Sequence, residues 1–239
     1  VVFTAADRPI FEPEGRLQAF CHAVPDAWHL MGVMLSAAGS YRWFRDALAP
    51  DRAFSALDEE AAVVPPGADG LVFLPYLTGE RTPHPDPLAR GAFVGLTVRH
   101  GLGHLARAVM EGVAFGLRDS VELMAREIEL GEVRVSGGGA SSELWLSIIT
   151  DILGRPVRLV STAESAAHGA AMLAATGDDA FESVAEASRA AVGVGDVIEP
   201  TADADVYEEA YSVYRDLYPA LRKSFRELSE LDAVSPPPR

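Results

Sequence analysis

The sequence predicts an α/β fold, and three features carry that prediction. A short apolar strand at Val133–Val135 runs into Gly137-Gly138-Gly139, a helical pattern covers 142–153, and a second strand follows at Val157–Val160; this β-turn-α-β order is that of a parallel layer. The longest helical pattern, 104–127, places Leu105, Ala108, Val109, Gly112, Phe115 and Gly116 along one face, with glycines that allow close packing. Hydrophobic residues make up 49% and charged residues 23% of the 239 positions, a globular balance far from that of disordered chains.

Taken in order, 1–4 and 17–21 read as strands of a hairpin, joined through the turn Ala5-Ala6-Asp7-Arg8-Pro9. Asp26 after Pro25 is the candidate N-cap of a helix with Trp28, Met31, Leu35 and Ala38 at i, i+3, i+7 and i+10. Gly39 and Ser40 break that pattern, and a second helical piece runs over 41–48. Residues 49–69, acidic and proline-rich, read as a surface excursion.

A buried strand follows at 71–74, and the four prolines between 75 and 87 forbid regular structure there. A further strand is expected at 91–96, and helices at 164–175 and 178–191. In the last helix Tyr207, Tyr211, Tyr214 and Tyr218 recur at helical spacing, a stripe better assigned to core packing than to a ligand platform.

Twenty basic against 35 acidic residues give a net charge of -15, which argues against nucleic acid and anionic membranes as partners. Lys223 is the one lysine among the 20 basic residues; a high-salt proteome and GC-rich coding both fit that arginine bias. A single cysteine, Cys21, forms no intrachain disulfide, so a reducing cytoplasm is the expected compartment. No apolar run approaches the roughly 18 residues of a membrane span. The chain opens inside a strand at Val1 without a signal core and reads as part of a longer polypeptide.

Ser136-Gly137-Gly138-Gly139-Ala140-Ser141-Ser142 lies between a strand and a helix, where glycines permit φ > 0 and let a flat or anionic ligand approach the backbone. The alternative reading is a tight strand-to-helix turn. The pattern is neither the dinucleotide GxGxxG nor a Walker A loop. His100 and His104 are spaced i, i+4 without a third ligand, so no metal site is assigned.

Gly91-Ala92-Phe93-Val94-Gly95-Leu96, followed after seven residues by His104-Leu105-Ala106-Arg107-Ala108-Val109-Met110-Glu111, resembles a signature of the FGGY carbohydrate kinases. The stretch Leu74-Pro75-Tyr76-Leu77-Thr78-Gly79-Glu80-Arg81-Thr82-Pro83, the glycine turn with Trp145, and Glu164 to Gly169-Ala170-Ala171 follow in the family's order. Phe20-Cys21-His22-Ala23-Val24-Pro25 and the segment from Trp28 to Ala37 are most similar to the xylulokinase branch.

The resemblance implies an actin-like, RNase H-type ATP-binding domain over 1–232, its first strand truncated, with a disordered tail at 233–239. It implies phosphoryl transfer from Mg-ATP, with ATP and Mg²⁺ as cofactors. The sugar substrate would bind mainly to an N-terminal domain outside this chain, and a homodimer is left open. The general-base aspartate and a Gly-Thr-Ser phosphate loop are implied upstream of Val1, so no catalytic residue is assigned within the chain. Gly137, Gly138 and Gly139 would pass under the adenosine, with Ser142 and Glu143 at the base or ribose. The helix break at Gly39 would approach the phosphates, with Arg42 one turn on. Glu80 and Arg81, in the proline-rich loop, are expected to form a structural ion pair or to support the cleft near the phosphoryl group.

Overall fold

The computed structural model describes residues 1–160 and 165–233. Helix α3 (Leu102–Glu127) is the axis of the fold, because one long element carries enough apolar and small residues to serve several neighbours at once. Around it pack α1 (Ala37–Leu48), α2 (Phe54–Ala62), α4 (Glu143–Leu153), α7 (Ala204–Ala233) and strand β4 (Val72–Leu74). Gly103 and Gly112 make the closest approaches: a Cβ on them would stand 2.3 Å from the Glu60 carbonyl oxygen and 2.1 Å from that of Phe73.

Three small sheets surround this helical core. In the first, β3 (Trp28–Gly32) lies between β1 (Val2–Ala6) and β2 (Gln18–Cys21), antiparallel to both, with Thr4 and Ala19 each opposite Leu30. β4 pairs antiparallel with β5 (Ala92–Val94). The third holds β6 (Val133–Val135) parallel to β7 (Val157–Val160), which also pairs antiparallel with β8 (Val194–Ile198). Helices α5 (Ser165–Gly177) and α6 (Val184–Ala191) complete the chain. The β6-α4-β7 order is the predicted parallel unit, and the tyrosine stripe is core: Tyr207, Tyr211, Tyr214 and Tyr218 are all buried. No helix among the described residues is long and apolar enough to cross a membrane.

Several expectations are corrected. The predicted helix from Asp26 is instead strand β3, and Asp26 sits in a turn with φ 58°. Strands β1 and β2 pair with β3 rather than with each other, so there is no hairpin between them. Gly39 does not break a helix: α1 begins at Ala37 and runs through it. The excursion at 49–69 contains α2, whose Leu57 and Ala61 are completely buried against the core. The helix expected over 178–191 is confined to Val184–Ala191, and β8 had no counterpart in the sequence reading. Glu164 and residues 234–239 of the expected tail lie outside the described residues.

Candidate nucleotide site

The glycine turn stands at the carboxyl end of β6, where ligands gather in open α/β layers. Gly137 has φ 96°, a conformation that side chains disfavour, so the turn itself requires glycine there. Gly138 opens a short 3₁₀ turn, Gly138–Ser141, closed by the Ser141 hydroxyl donating to the Gly138 carbonyl at 2.7 Å. Its φ is ordinary, and a Cβ built on it would meet no atom of the described residues within 4 Å. Among the described residues, neither packing nor backbone geometry accounts for a glycine at 138.

Ser142 caps α4: its Oγ accepts the Trp145 backbone N–H at 3.2 Å, so this oxygen is already engaged by the protein. Glu143, exposed in the first turn, carries negative charge at the positive end of the helix dipole. Trp145 fixes the arrangement from below. Its Nε1 donates to the Met110 carbonyl on α3 at 3.0 Å, its ring lies 3.4 Å from the Cβ position of Gly139, and it meets Tyr41 of α1 edge-on at 5.4 Å. Tyr41 is held in turn by donating to Asp58 at 2.7 Å.

The Tyr41–Trp145 contact thus joins the N-terminal half of α1 to the first turn of α4. The α1 start has no acidic residue in its first turn and no side-chain cap. Ala38 and Gly39 are exposed there, and the Gly39 Cβ position is also empty within 4 Å. The uncapped N-terminus of α1 and the glycine turn offer backbone N–H groups to an anion. Arg42, exposed one residue after Tyr41, adds a cation to the same helix.

Glu80 and Arg81 do not make the expected ion pair. Arg81 is exposed, and its backbone N–H, not its guanidinium, donates to Glu80 Oε1 at 2.7 Å. The same oxygen accepts the Leu35 N–H at 3.0 Å, so Glu80 braces the approach to α1. This brace was not readable in the sequence, because its partner lies 45 residues away. The two histidines are spent on the entry to α3: Thr97 and Gly101 N–H groups donate to the Nδ1 atoms of His100 and His104, leaving His104 Nε2–H to donate to Asp69 at 3.2 Å.

Burial pushes two carboxyls up, Glu80 to about 7 and Asp119 to about 7, against the pull of backbone N–H groups on the first and of the Tyr211 hydroxyl on the second. A carboxyl raised in the folded state binds protons that the unfolded chain has already released, so stability falls as pH climbs from about 4 to 7 and the loss is complete above that. Asp119→Asn removes its share of the slope while keeping an acceptor for Tyr211. Urea midpoints at pH 5, 6, 7 and 8 are expected to show the variant gaining on the parent as pH rises. A constant difference across the series would refute the assignment.

Comparison with known proteins identifies the family. Residues 1–177 match the C-terminal domain of the FGGY family of carbohydrate kinases. The chain is 37% identical over 220 residues to the xylulose kinase of Staphylococcus epidermidis, covering 91% of this chain and 44% of that one. It is 34% identical over 233 residues to the gluconokinase of Bacillus subtilis, covering 90% of this chain and 43% of that one. The crystal structure of the xylulose kinase from Rhodospirillum rubrum superposes with a TM-score of 0.82 at 35% identity, over 94% of this chain and 46% of its own. The chain thus spans a little under half the length of these relatives. Its fold is that of the actin-like sugar kinases, and the chain belongs to the FGGY family of carbohydrate kinases, whose C-terminal domain it carries.

Proposed function

We propose that this chain is the ATP-binding part of a cytoplasmic xylulose kinase, whose whole polypeptide transfers the γ-phosphoryl group of Mg-ATP to D-xylulose. The observation that carries the nucleotide reading is Gly138: a glycine that neither its dihedral angles nor the packing of the described residues requires, just beyond the carboxyl end of a parallel strand. The space its missing side chain leaves fits a flat base or ribose lying against the backbone. Gly137 and Gly139 continue that surface, and Ser142 and Glu143 stand at its edge. The uncapped N-terminus of α1 at Gly39, with Arg42, would take the phosphates. The donor set fits the nucleotide phosphates in kind: N–H groups at the α1 start and in the glycine turn, and the Arg42 guanidinium. When bound, Mg-ATP supplies the phosphoryl group and neutralises its charge; the chain's residues hold and orient it.

The sugar reading is supported by the xylulose kinase relatives, and the gluconokinase relative defines its rival. The residues that would accept the hydroxyl proton and hold the sugar belong to the remaining length of the polypeptide. Two measurements test the proposal. ADP titrated into the chain by calorimetry is expected to bind, and Gly138→Val to weaken it at least about tenfold with little change in thermal stability, since a Cβ there meets no atom of the described residues within 4 Å. Equal affinity would remove the turn from the site. For the whole enzyme, ADP release is expected to be fastest with xylulose among xylulose, ribulose, glycerol and gluconate; preference for another acceptor would reassign the substrate.

A further inference from the structure

A cavity of about 660 Å³ lies beside the C-terminal half of α3 and shares no residue with the glycine turn or with α1. That volume is in the range of small-molecule sites. On α3 it begins at Asp119, whereas Trp145 is anchored on the Met110 carbonyl, about 14 Å back along the helix axis. Its other walls come from the residues before β2, the loop 83–85 and α7; β3 separates β2 from β1.

The lining is chemically divided. Arg126, Arg215 and Arg222 are exposed at its rim. Among the described residues neither Arg126 nor Arg215 forms a hydrogen bond or an ion pair, and Arg222 comes only within 4.0 Å of Asp86. Two of the carboxylates in the lining are already engaged: Glu122 with Arg118 at 2.9 Å, and Glu14 with Arg16 at 3.4 Å. Asp216 is the one exposed acid left to face the three guanidiniums, so positive charge remains over at the rim.

The interior differs. Asp119 is 9% exposed, and its Oδ1 accepts the Tyr211 hydroxyl at 2.7 Å, while Oδ2 takes no hydrogen bond among the described residues. Burial raises this carboxyl to about 7, so near neutral pH it both donates and accepts. The Ser212 hydroxyl lines the same cavity. His84 lies flat on the Tyr218 ring at 3.7 Å, and burial holds it down to about 4, which makes that wall an uncharged ring beside Pro83. A phosphate suits the guanidiniums, hydroxyl groups suit a carboxyl and a serine, and a carbon chain suits the ring. A bare phosphate would leave the interior unfilled.

We propose that this cavity is a second binding site, for a phosphorylated polyol: Arg126 and Arg215 hold its phosphate, and Asp119 and Ser212 its hydroxyl groups. The product of a sugar kinase belongs to this chemical class, so the site would let the nucleotide-binding part sense product away from the nucleotide. The site does not rest on the proposed acceptor; the choice of probes does.

The test is calorimetric titration of the chain at pH 7 with xylulose 5-phosphate and with 6-phosphogluconate. At least one is expected to bind, with unphosphorylated xylulose and inorganic phosphate each at least about tenfold weaker. Arg126→Gln combined with Arg215→Gln, both at exposed positions, is expected to weaken the sugar phosphate at least about tenfold and to leave ADP within about twofold of the parent. Gly138→Val is expected to leave sugar-phosphate binding unchanged. The proposal is overturned if neither sugar phosphate binds, if inorganic phosphate binds as tightly, if the double variant keeps the parent's affinity, or if Gly138→Val abolishes binding. Sugar-phosphate binding by a chain that does not bind ADP would overturn the nucleotide reading and leave this site standing.

Discussion

Replacing Gly112 by alanine is expected to destabilise the protein by about 3 kcal/mol, although the same change in an exposed helix is worth about 1 kcal/mol in the opposite direction. The residue lies midway along α3, where intrinsic propensity favours alanine. Packing reverses the sign. A Cβ at this position would stand 2.1 Å from the Phe73 carbonyl oxygen and 3.0 Å from its carbon, so the helix and β4 must separate. Neither partner yields easily. β4 is buried along its whole length and paired to β5, and the Phe73 ring packs on Phe93 at a centroid distance of 4.7 Å.

Gly169 is the matched control: it is helical in α5, with no atom of the described residues within 4 Å of its Cβ position, and Gly169→Ala is expected to stabilise by about 0.5–1 kcal/mol. Urea denaturation of the two variants against the parent reads both signs in one experiment. A Gly112→Ala protein as stable as the parent would mean that the α3–β4 contact is looser than the structure shows.

The same contrast explains which parts of the fold were readable in the sequence. The α3 pattern and the tyrosine stripe were legible because they repeat their apolar face over many turns. β3 was misread for a specific reason. Its inward positions are Leu30 and Gly32, followed by Met34, a period of two; the middle position has no side chain to register as hydrophobic. Glycine stands there because Ser120 of α3 comes within 3.0 Å of where its Cβ would be. With that mark erased, Trp28, Met31, Leu35 and Ala38 imitate a helix. α2 was missed because Leu57 and Ala61 are its buried residues in a stretch of acidic and small ones.

In the candidate site, the glycine turn was legible because its chemistry is local. Positive φ at Gly137 and the cap at Ser142 are both written within a few residues. Glu80 was visible only as a charge in a loop. Its brace depends on the Leu35 N–H, 45 residues away. The inferred ion pair with Arg81 followed from adjacency in sequence, whereas the loop turns one side chain inward and the other out. Long-range backbone donors leave no trace in residue type.

The second large effect is expected at Arg107 and Glu111, whose spacing in the family signature gave no hint of their burial. Both lie on α3 and are 5% and 2% exposed. Arg107 Nε donates to Glu111 Oε1 at 2.8 Å, Nη1 donates to the Ala61 and Val64 carbonyls at 3.3 and 2.8 Å, and Nη2 donates to the Tyr207 hydroxyl at 2.8 Å. Tyr207 in turn donates to Glu111 Oε1, as does the Gly67 N–H, each at 3.0 Å. One ion pair thus satisfies the end of α2, the turn at Gly67, and α7.

Removing one partner leaves the other charge buried, which typically costs 3–5 kcal/mol. Arg107→Met is expected near the low end, about 3 kcal/mol, because a cavity of about 350 Å³ lined by Arg107, Val64, Leu144 and Ile148 gives water a route to the orphaned groups. Adding Glu111→Leu removes the stranded carboxylate and is expected to recover at least about 1 kcal/mol, since well-packed apolar replacements of buried pairs approach neutrality. Full recovery is not expected: the Ala61 and Val64 carbonyls and the Gly67 N–H remain without their side-chain partners. Equilibrium unfolding of the two single variants and the double variant closes the cycle. Strict additivity of the two losses would show that the charges do not depend on each other, and would remove the ion pair from the account of what holds α2, α3 and α7 together.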